Sequence, residues 1–193
     1  MRVPSPFALR PASVPWYFPL RRASPLESTR HRPARILVAG IGNIFLGDDG
    51  FGVEVVRRLS GQRLCDGVDV VDFGIRGIHL AYELTGGRYG AAILVDALSR
   101  GGTPGTLYAI EPDRDGGPDA AIEADGHNLT PDAVLEWVHR VGGHVARVVI
   151  VGCEPATTDE SMELSAPVAE SIDCAIDIVR ALVGEMSGAT PCA

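Results

Sequence analysis

Acidic residues stand where a buried segment of this chain gives way to a glycine-rich turn. Asp48 and Asp49 lie in the turn that follows the apolar segment Ile36–Gly40. A strand–turn–helix unit of this kind usually binds a phosphate through helix N–H groups. Two carboxylates at that position favour a cation over an anion. The turn therefore predicts cation chemistry rather than dinucleotide binding.

Further polar residues follow the other apolar segments. Asp72 ends the second, Asp96 ends the third, Glu154 follows the fifth, and His127 precedes a predicted helix. In an open parallel sheet, ligands bind beyond the carboxyl ends of the strands. The set Asp49, Asp72 and His127 offers two carboxylates and one imidazole. This donor set suits a first-row divalent ion and leaves coordination positions open for a partner's ligand.

Each of these residues also has a structural interpretation. One of Asp48 and Asp49 would suffice to cap a helix, and the pair could instead exchange protons. Asp72 could close an Asx turn or bind a ribose, since an acid ends the second strand of dinucleotide folds. His127 could simply begin the helix that follows. The residue types alone leave these alternatives open.

Other chemistries find little support. The sequence has no HExxH or GxSxG motif and no lysine, which excludes a Walker-type phosphate loop and a lysine Schiff base. Cys153 ends an apolar segment and is interpreted as a buried structural thiol rather than a nucleophile. Asn43 and the N–H groups of Gly47–Gly50 are candidates for stabilising an oxyanion.

The composition indicates one globular domain. The chain has 193 residues and a net charge of −8, which argues against nucleic acid or an anionic membrane as partner. Its four cysteines lack zinc-finger spacing and predict reduced thiols in the cytoplasm. Residues 1–33 hold seven of the 14 prolines and six arginines, and predict a disordered leader. We expect the domain over residues 34–184 and a flexible tail over 185–193.

Apolar periodicity from Arg35 onward predicts alternating strands and helices. The predicted strands are Ile36–Gly40, Val68–Asp72, Ala91–Asp96, Thr106–Ile110 and Val145–Gly152. The predicted helices are Gly50–Leu59, Gly77–Leu84, Pro131–Val141 with Thr130 as cap, and Ser165–Val183 with Ser165 as cap. This order is typical of an α/β fold with a mostly parallel sheet between helices, in which the short fourth strand is an antiparallel edge.

Five segments together resemble the nickel–iron hydrogenase maturation endopeptidases. The opening GIGNIFLGDDGFGVEVVRRL resembles the N-terminal signature of that family, and VVDFGIRGIHLAYEL resembles its second motif. The segments ILVDAL, GHNLTPDAVL and VGCEPATTDESMELSAPVAESIDCAIDIV are similar to further family segments, in the family's order. The resemblance spans about residues 35–183 and leaves out the leader.

The resemblance implies a three-layer αβα sandwich with a five-stranded sheet. It implies a peptidase, often classed as aspartic-type, that removes a C-terminal extension from a hydrogenase large-subunit precursor and so activates the hydrogenase. Family positions that contact the metal match Asp49, Asp72 and His127, with Asp48 as a further catalytic candidate. Nickel would arrive with the precursor, and the enzyme would be a monomer. The family often has Glu where this chain has Asp49, one methylene shorter.

Two alternatives remain at this point. A dinucleotide-binding oxidoreductase would use Gly40, Gly42 and Asp72, although the third glycine of that fingerprint is missing. A non-catalytic, metal-dependent chaperone of the same precursor would hold its client without cutting it.

Overall fold

The protein alternates strands and helices around one sheet. The computed structural model describes residues 35–62, 64–112 and 131–188. The strands are β1 (Arg35–Ile41), β2 (Val68–Gly74), β3 (Tyr89–Ala97), β4 (Leu107–Ile110) and β5 (Arg147–Cys153). The helices are a 3₁₀ turn (Gly47–Gly50), α1 (Phe51–Ser60), α2 (Gly77–Thr85), α3 (Pro131–Arg140) and α4 (Ala166–Ser187). The predicted order of elements is therefore confirmed within these ranges.

The five strands form one mixed sheet in the order β2-β1-β3-β5-β4. Strand β1 pairs in parallel with β2 and β3, and β3 pairs in parallel with β5. Strand β4 is the antiparallel edge, as predicted, and its partner is β5. The carboxyl ends of β1, β2 and β3 therefore lie side by side at one edge of the sheet.

Helices cover both faces of the sheet and give the three-layer αβα sandwich. Val38 of β1 packs in a core with Phe51 of α1 and Ile172 of α4. Its neighbour Leu37 packs on the opposite face with Leu80 of α2 and with α3. Because a parallel strand covered on both faces buries its side chains, β1 is apolar and buried from Ile36 to Ile41, after the partly exposed Arg35.

The last described helix differs from the prediction at its C-terminus. Helix α4 continues to Ser187 and ends at Gly188, whose φ of +62° suits a glycine at a helix C-terminus. The predicted tail therefore begins inside this helix. The predicted leader and Thr130 lie outside the described residues. In the described ranges, no helix combines the length and hydropathy that a bilayer span requires.

Candidate active site

The turn after β1 folds tightly back on itself. Gly42 has a φ of +123°, and a Cβ at this position would lie 1.8 Å from the carbonyl oxygen of Asp49. Its N–H donates to the carbonyl of Gly74, 3.1 Å away, and so ties the end of β1 to the end of β2. Only glycine tolerates both the positive φ and this close approach. The fold of the turn brings Asp49 over the carboxyl ends of the strands.

Asp48 is fully buried and is bound to the loop that follows β5. Its carboxylate accepts the backbone N–H groups of Ala156 and Thr157, at 2.7 and 3.1 Å. It also accepts the N–H and the hydroxyl of Ser165, at 2.7 and 2.8 Å. Because it accepts these four hydrogen bonds, the side chain of Asp48 has a structural role: it holds the loop between β5 and α4 against the 3₁₀ turn. We therefore do not place Asp48 among the reacting groups.

Two sequence interpretations change with this contact. Ser165 precedes α4, but its side chain makes no capping hydrogen bond, and its hydroxyl donates to Asp48. Asp48 does not cap a helix by its side chain either. Burial raises the pKa of Asp48, but the hydrogen bonds from Ser165, Ala156 and Thr157 outweigh burial and hold the pKa below its ordinary value. The side chain is therefore a carboxylate in the folded protein.

Asp49 is half-buried and faces the strand ends. Its Oδ2 accepts the N–H of Asn43 at 2.6 Å, which fixes the orientation of the carboxylate. No basic side chain of the described ranges forms an ion pair with it. One oxygen is thus held by the turn, and the group carries no counter-ion from this part of the chain.

Asp96 is the second carboxylate at this position. It ends β3, is 6% exposed, and accepts the N–H of Ala97 at 2.8 Å. A Cβ on Gly42 would lie 3.7 Å from Oδ1 of Asp96, so the carboxyl group of Asp96 lies close to the turn. Burial, followed by the charge of Asp49, raises the pKa of Asp96 to about 8. Asp49 and Asp96 therefore form a coupled acidic pair without a neutralising cation in the described ranges.

Asp72 lies at the same edge but in a different environment. It is exposed and stands near the end of the edge strand β2, opposite Gly40 of β1. Its carbonyl oxygen accepts a hydrogen bond from the guanidinium of Arg76 at 2.7 Å, while its carboxylate stays close to Gly74. The sequence pattern predicts Asp72, and not Asp96, as a metal ligand. In the structure, Asp96 is the buried carboxylate that is electrostatically coupled to Asp49.

His127 lies outside the described residues, so the structure does not test its predicted role. Within the described ranges, no three histidine, cysteine or acidic residues come close enough together to hold a metal ion. The acidic pair therefore needs at least one further ligand from elsewhere to bind a metal.

The N–H groups of the turn are already satisfied. Gly47 donates to Ser161, Asp48 donates to Thr157, and Asp49 donates to Leu46. The N–H of Asn43 is taken by Asp49. These four N–H groups therefore give no support to the predicted oxyanion role or to phosphate binding, whereas the role of the Gly50 N–H and of the Asn43 side chain stays a prediction. The geometry thus gives no support to the dinucleotide alternative.

The acid and thiol at the end of β5 are also structural. Cys153 is buried, lies 3.3 Å from the hydroxyl of Ser171, and has a pKa raised to about 11, chiefly by burial. A thiol with this pKa is a poor nucleophile, as the sequence analysis expected. Glu154 accepts the N–H of Arg100 at 2.9 Å and the hydroxyl of Tyr108 at 2.7 Å. It orders the loop after β3 through these hydrogen bonds.

Comparison with known sequences gives a consistent family. The family model described as hydrogenase maturation protease, HycI, matches residues 53–181. A protein of Methanocaldococcus jannaschii assigned as a hydrogenase maturation protease is 36% identical over 148 residues, covering 75% of this chain and 93% of its own length. The hydrogenase expression/formation protein HupD of Rhizobium leguminosarum bv. viciae is 32% identical over 145 residues, covering 74% of this chain and 71% of its own.

Solved structures agree. The hydrogenase maturating endopeptidase HybD of E. coli is similar with a TM-score of 0.64 and 26% identity, over 78% of this chain and 93% of its own. The hydrogenase 2 maturation peptidase of Thaumarchaeota archaeon SCGC_AB-539-E09 has a TM-score of 0.60 and 32% identity, over 78% and 98%. Sequence, fold and the acidic strand ends thus lead to one assignment: the chain belongs to the hydrogenase maturation protease family.

Proposed function

We propose that this protein is the endopeptidase that removes the C-terminal extension of a nickel-loaded [NiFe] hydrogenase large-subunit precursor. Membership of the hydrogenase maturation protease family supports the reaction class. Removal of the extension would activate the hydrogenase. The reaction would take place in the cytoplasm, with the protease as a monomer.

The observation that carries this proposal is the coupled pair of Asp49 and Asp96. Two carboxylates that share a partly dry site disfavour each other's charge, so that one keeps its proton, and a divalent cation can take the place of that proton. Carboxylate oxygens suit divalent metal ions, and imidazole suits nickel as well. We therefore propose Asp49 and Asp96 as the inner ligands and His127 as the imidazole. Asp72, at the exposed rim of the same edge, remains a candidate for an outer ligand.

In this account nickel is cargo of the substrate rather than a resident cofactor. A precursor without nickel brings no cation for the acidic pair to bind, so it would bind weakly. Asp49 is held in position by Asn43 and needs no reorganisation when the substrate arrives. Asp96 is largely protonated near neutral pH in the free protein and would release its proton to solvent as the cation enters. When bound, the cation would polarise the scissile carbonyl or activate water.

Substitution of the acidic pair tests the proposal. Asp49→Asn keeps the size of the side chain and removes its charge. We expect cleavage of nickel-loaded precursor, followed by intact mass, to slow by about 100-fold or more, as for other groups that stabilise reacting charge. The matched control is Asp173→Asn, because Asp173 is a surface acid on α4 whose side chain is 87% exposed.

Two results would contradict the proposal. Normal cleavage by a folded Asp49→Asn protein would remove Asp49 from the reaction. A wild-type protein that binds the loaded precursor and leaves its C-terminus intact would instead be a chaperone of the client.

A further inference from the structure

Three large apolar side chains stand exposed beside the Asp49 turn. Ile44 is 44% exposed, Phe45 is 59% exposed and Met162 is 74% exposed. Ile44 and Phe45 belong to the connection between β1 and the 3₁₀ turn, and Met162 belongs to the connection between β5 and α4. We call these three side chains the apolar rim. Three large apolar side chains exposed to solvent on two adjoining loops need an explanation, because burying each one would be favourable.

The two loops that carry the apolar rim are joined through their backbones. The N–H of Ser161 donates to the carbonyl of Phe45 at 3.0 Å, and the N–H of Gly47 donates to the carbonyl of Ser161 at 2.8 Å. Leu46 and Ser161 form a parallel bridge between these hydrogen bonds. Asp48 adds its four hydrogen bonds to the same loop. The rim is thus held in place before any partner arrives, which lowers the entropy that binding would cost.

Exposed acidic residues lie close to Met162 in the sequence. Asp159, Glu160 and Glu163 are all exposed. In the part of the chain that the structure describes, no basic side chain forms an ion pair with them. The whole chain carries a net charge of −8, so a second copy would bring like charge to this surface. A partner with basic groups beside an apolar group fits it better.

We propose that the apolar rim is the docking surface for the substrate protein, and that it receives an apolar side chain flanked by lysine or arginine. The rim is continuous with the reaction site, because Phe45 and Asp49 belong to one short turn. A polypeptide bound at the acidic pair would therefore lie close to the rim. The identity of the partner rests on the proposed function, whereas the surface itself rests on exposure, rigidity and charge.

A paired substitution tests the rim. Phe45→Ser together with Met162→Ser removes both exposed side chains and leaves the backbone bridge and Asp48 intact. We expect the Kd for nickel-loaded precursor, measured by biolayer interferometry, to rise about tenfold or more, as for apolar anchors at interfaces. We expect KM to rise in parallel while kcat stays within about twofold, because uniform binding is lost and the reacting groups are untouched.

The matched control is Val141→Ser. Val141 is 51% exposed, but it lies between α3 and β5, on the side of the sheet where the parallel strands begin rather than end. We expect this variant to bind and cleave the precursor like the wild type. A folded double variant, checked by circular dichroism, with an unchanged Kd would overturn the rim as a docking surface.

A charge variant provides an independent measurement that does not depend on the apolar side chains. Wild-type Kd is expected to rise several-fold between about 50 and about 300 mM salt, because exposed charges are screened. Glu160→Gln together with Glu163→Gln should flatten that dependence. A Kd that is insensitive to salt in the wild type would overturn the basic character of the partner.

The outcomes separate this inference from the proposed function. Binding of the precursor by wild type without cleavage, with binding lost in the double variant, defeats the peptidase and supports the rim. Cleavage with an unchanged Kd in the double variant defeats only the rim. Light scattering that shows a wild-type dimer, converted to monomer by the double variant, would assign the rim to a second copy and overturn the inference.

Discussion

The carboxylate of Asp48 accepts both the backbone N–H and the hydroxyl of Ser165, at 2.7 and 2.8 Å, across 117 positions of sequence. This contact joins the turn that carries Asp49 to the start of α4. It therefore links the most conspicuous acidic motif of the sequence to the geometry of a distant loop. The two neighbouring acids have different roles: Asp48 orders the loop between β5 and α4, and Asp49 faces the candidate site.

Substitution of Asp48 tests this division. Asp48→Asn keeps the shape but replaces one acceptor oxygen with an NH₂ group that faces N–H and O–H donors. We expect the free energy of unfolding to fall by about 2–4 kcal/mol near neutral pH, because buried donors lose a charged acceptor. Urea unfolding followed by circular dichroism measures the change. Asp173→Asn, at an exposed position, should leave the midpoint unchanged.

The same variant has a definite pH dependence. The folded pKa of Asp48 lies below its ordinary value of 3.8, so its contribution to stability is present above that value. It is lost as pH falls through the folded pKa, where the side chain becomes protonated. The stability difference between wild type and Asp48→Asn should therefore shrink in acid. A difference that stays constant down to about pH 2 would contradict the role of the carboxylate charge.

Asp96 is expected to behave in the opposite way. Its folded pKa of about 8 lies above the ordinary value, so the folded protein binds the extra proton and loses stability at any pH above that ordinary value. Asp96→Asn removes this penalty and keeps an acceptor for the N–H of Ala97. We expect the variant to be more stable by about 1–3 kcal/mol near neutral pH while cleavage of the loaded precursor is lost. A variant that is less stable than the wild type would contradict the unfavourable burial of this acid.

Substitution of Gly42 tests whether the turn depends on the close approach of its backbone to Asp49. Gly42→Ala would place a Cβ against the carbonyl of Asp49 at a φ of +123°. We expect a loss of about 2–4 kcal/mol of stability and a loss of cleavage, since the turn must open. Gly87→Ala is the matched control, because Gly87 also has a positive φ, +66°, but nothing lies within 4 Å of its added Cβ. Equal effects of the two substitutions on unfolding would show that close approach at Gly42 is unimportant.

Much of the fold follows from local patterns. Apolar runs such as Ile93–Val95 are covered on both sheet faces, and the alternation of such runs with amphipathic segments predicts α/β architecture. The choice of neighbouring strands in the sheet does not follow from such local patterns. Strand β4 follows β3 along the chain, but β5 inserts between them in the sheet. A later strand decides the neighbour of an earlier one, and residue pattern alone does not encode that choice.

Local sequence pattern also does not distinguish the environments of the site residues. Asp72 and Asp96 both lie near the ends of strands that flank β1, so the sequence presents them as equivalent acids. Their environments differ because β2 is the edge strand and exposes Asp72, whereas β3 is interior and buries Asp96. Ser165 likewise has a helix-cap position, but its hydroxyl finds a distant partner. Tertiary position, rather than residue type, decides which acid is coupled to Asp49.

The most direct test of the account compares one precursor in two states. Nickel-loaded and nickel-free large-subunit precursor are incubated with wild-type protein and with His127→Ala, and the intact mass of the precursor is recorded over time. We expect loss of the C-terminal extension only from the loaded precursor and only with the wild type, while His127→Ala remains folded by circular dichroism. Equal cleavage of the loaded and nickel-free precursors would contradict a site built around a cation that the substrate delivers.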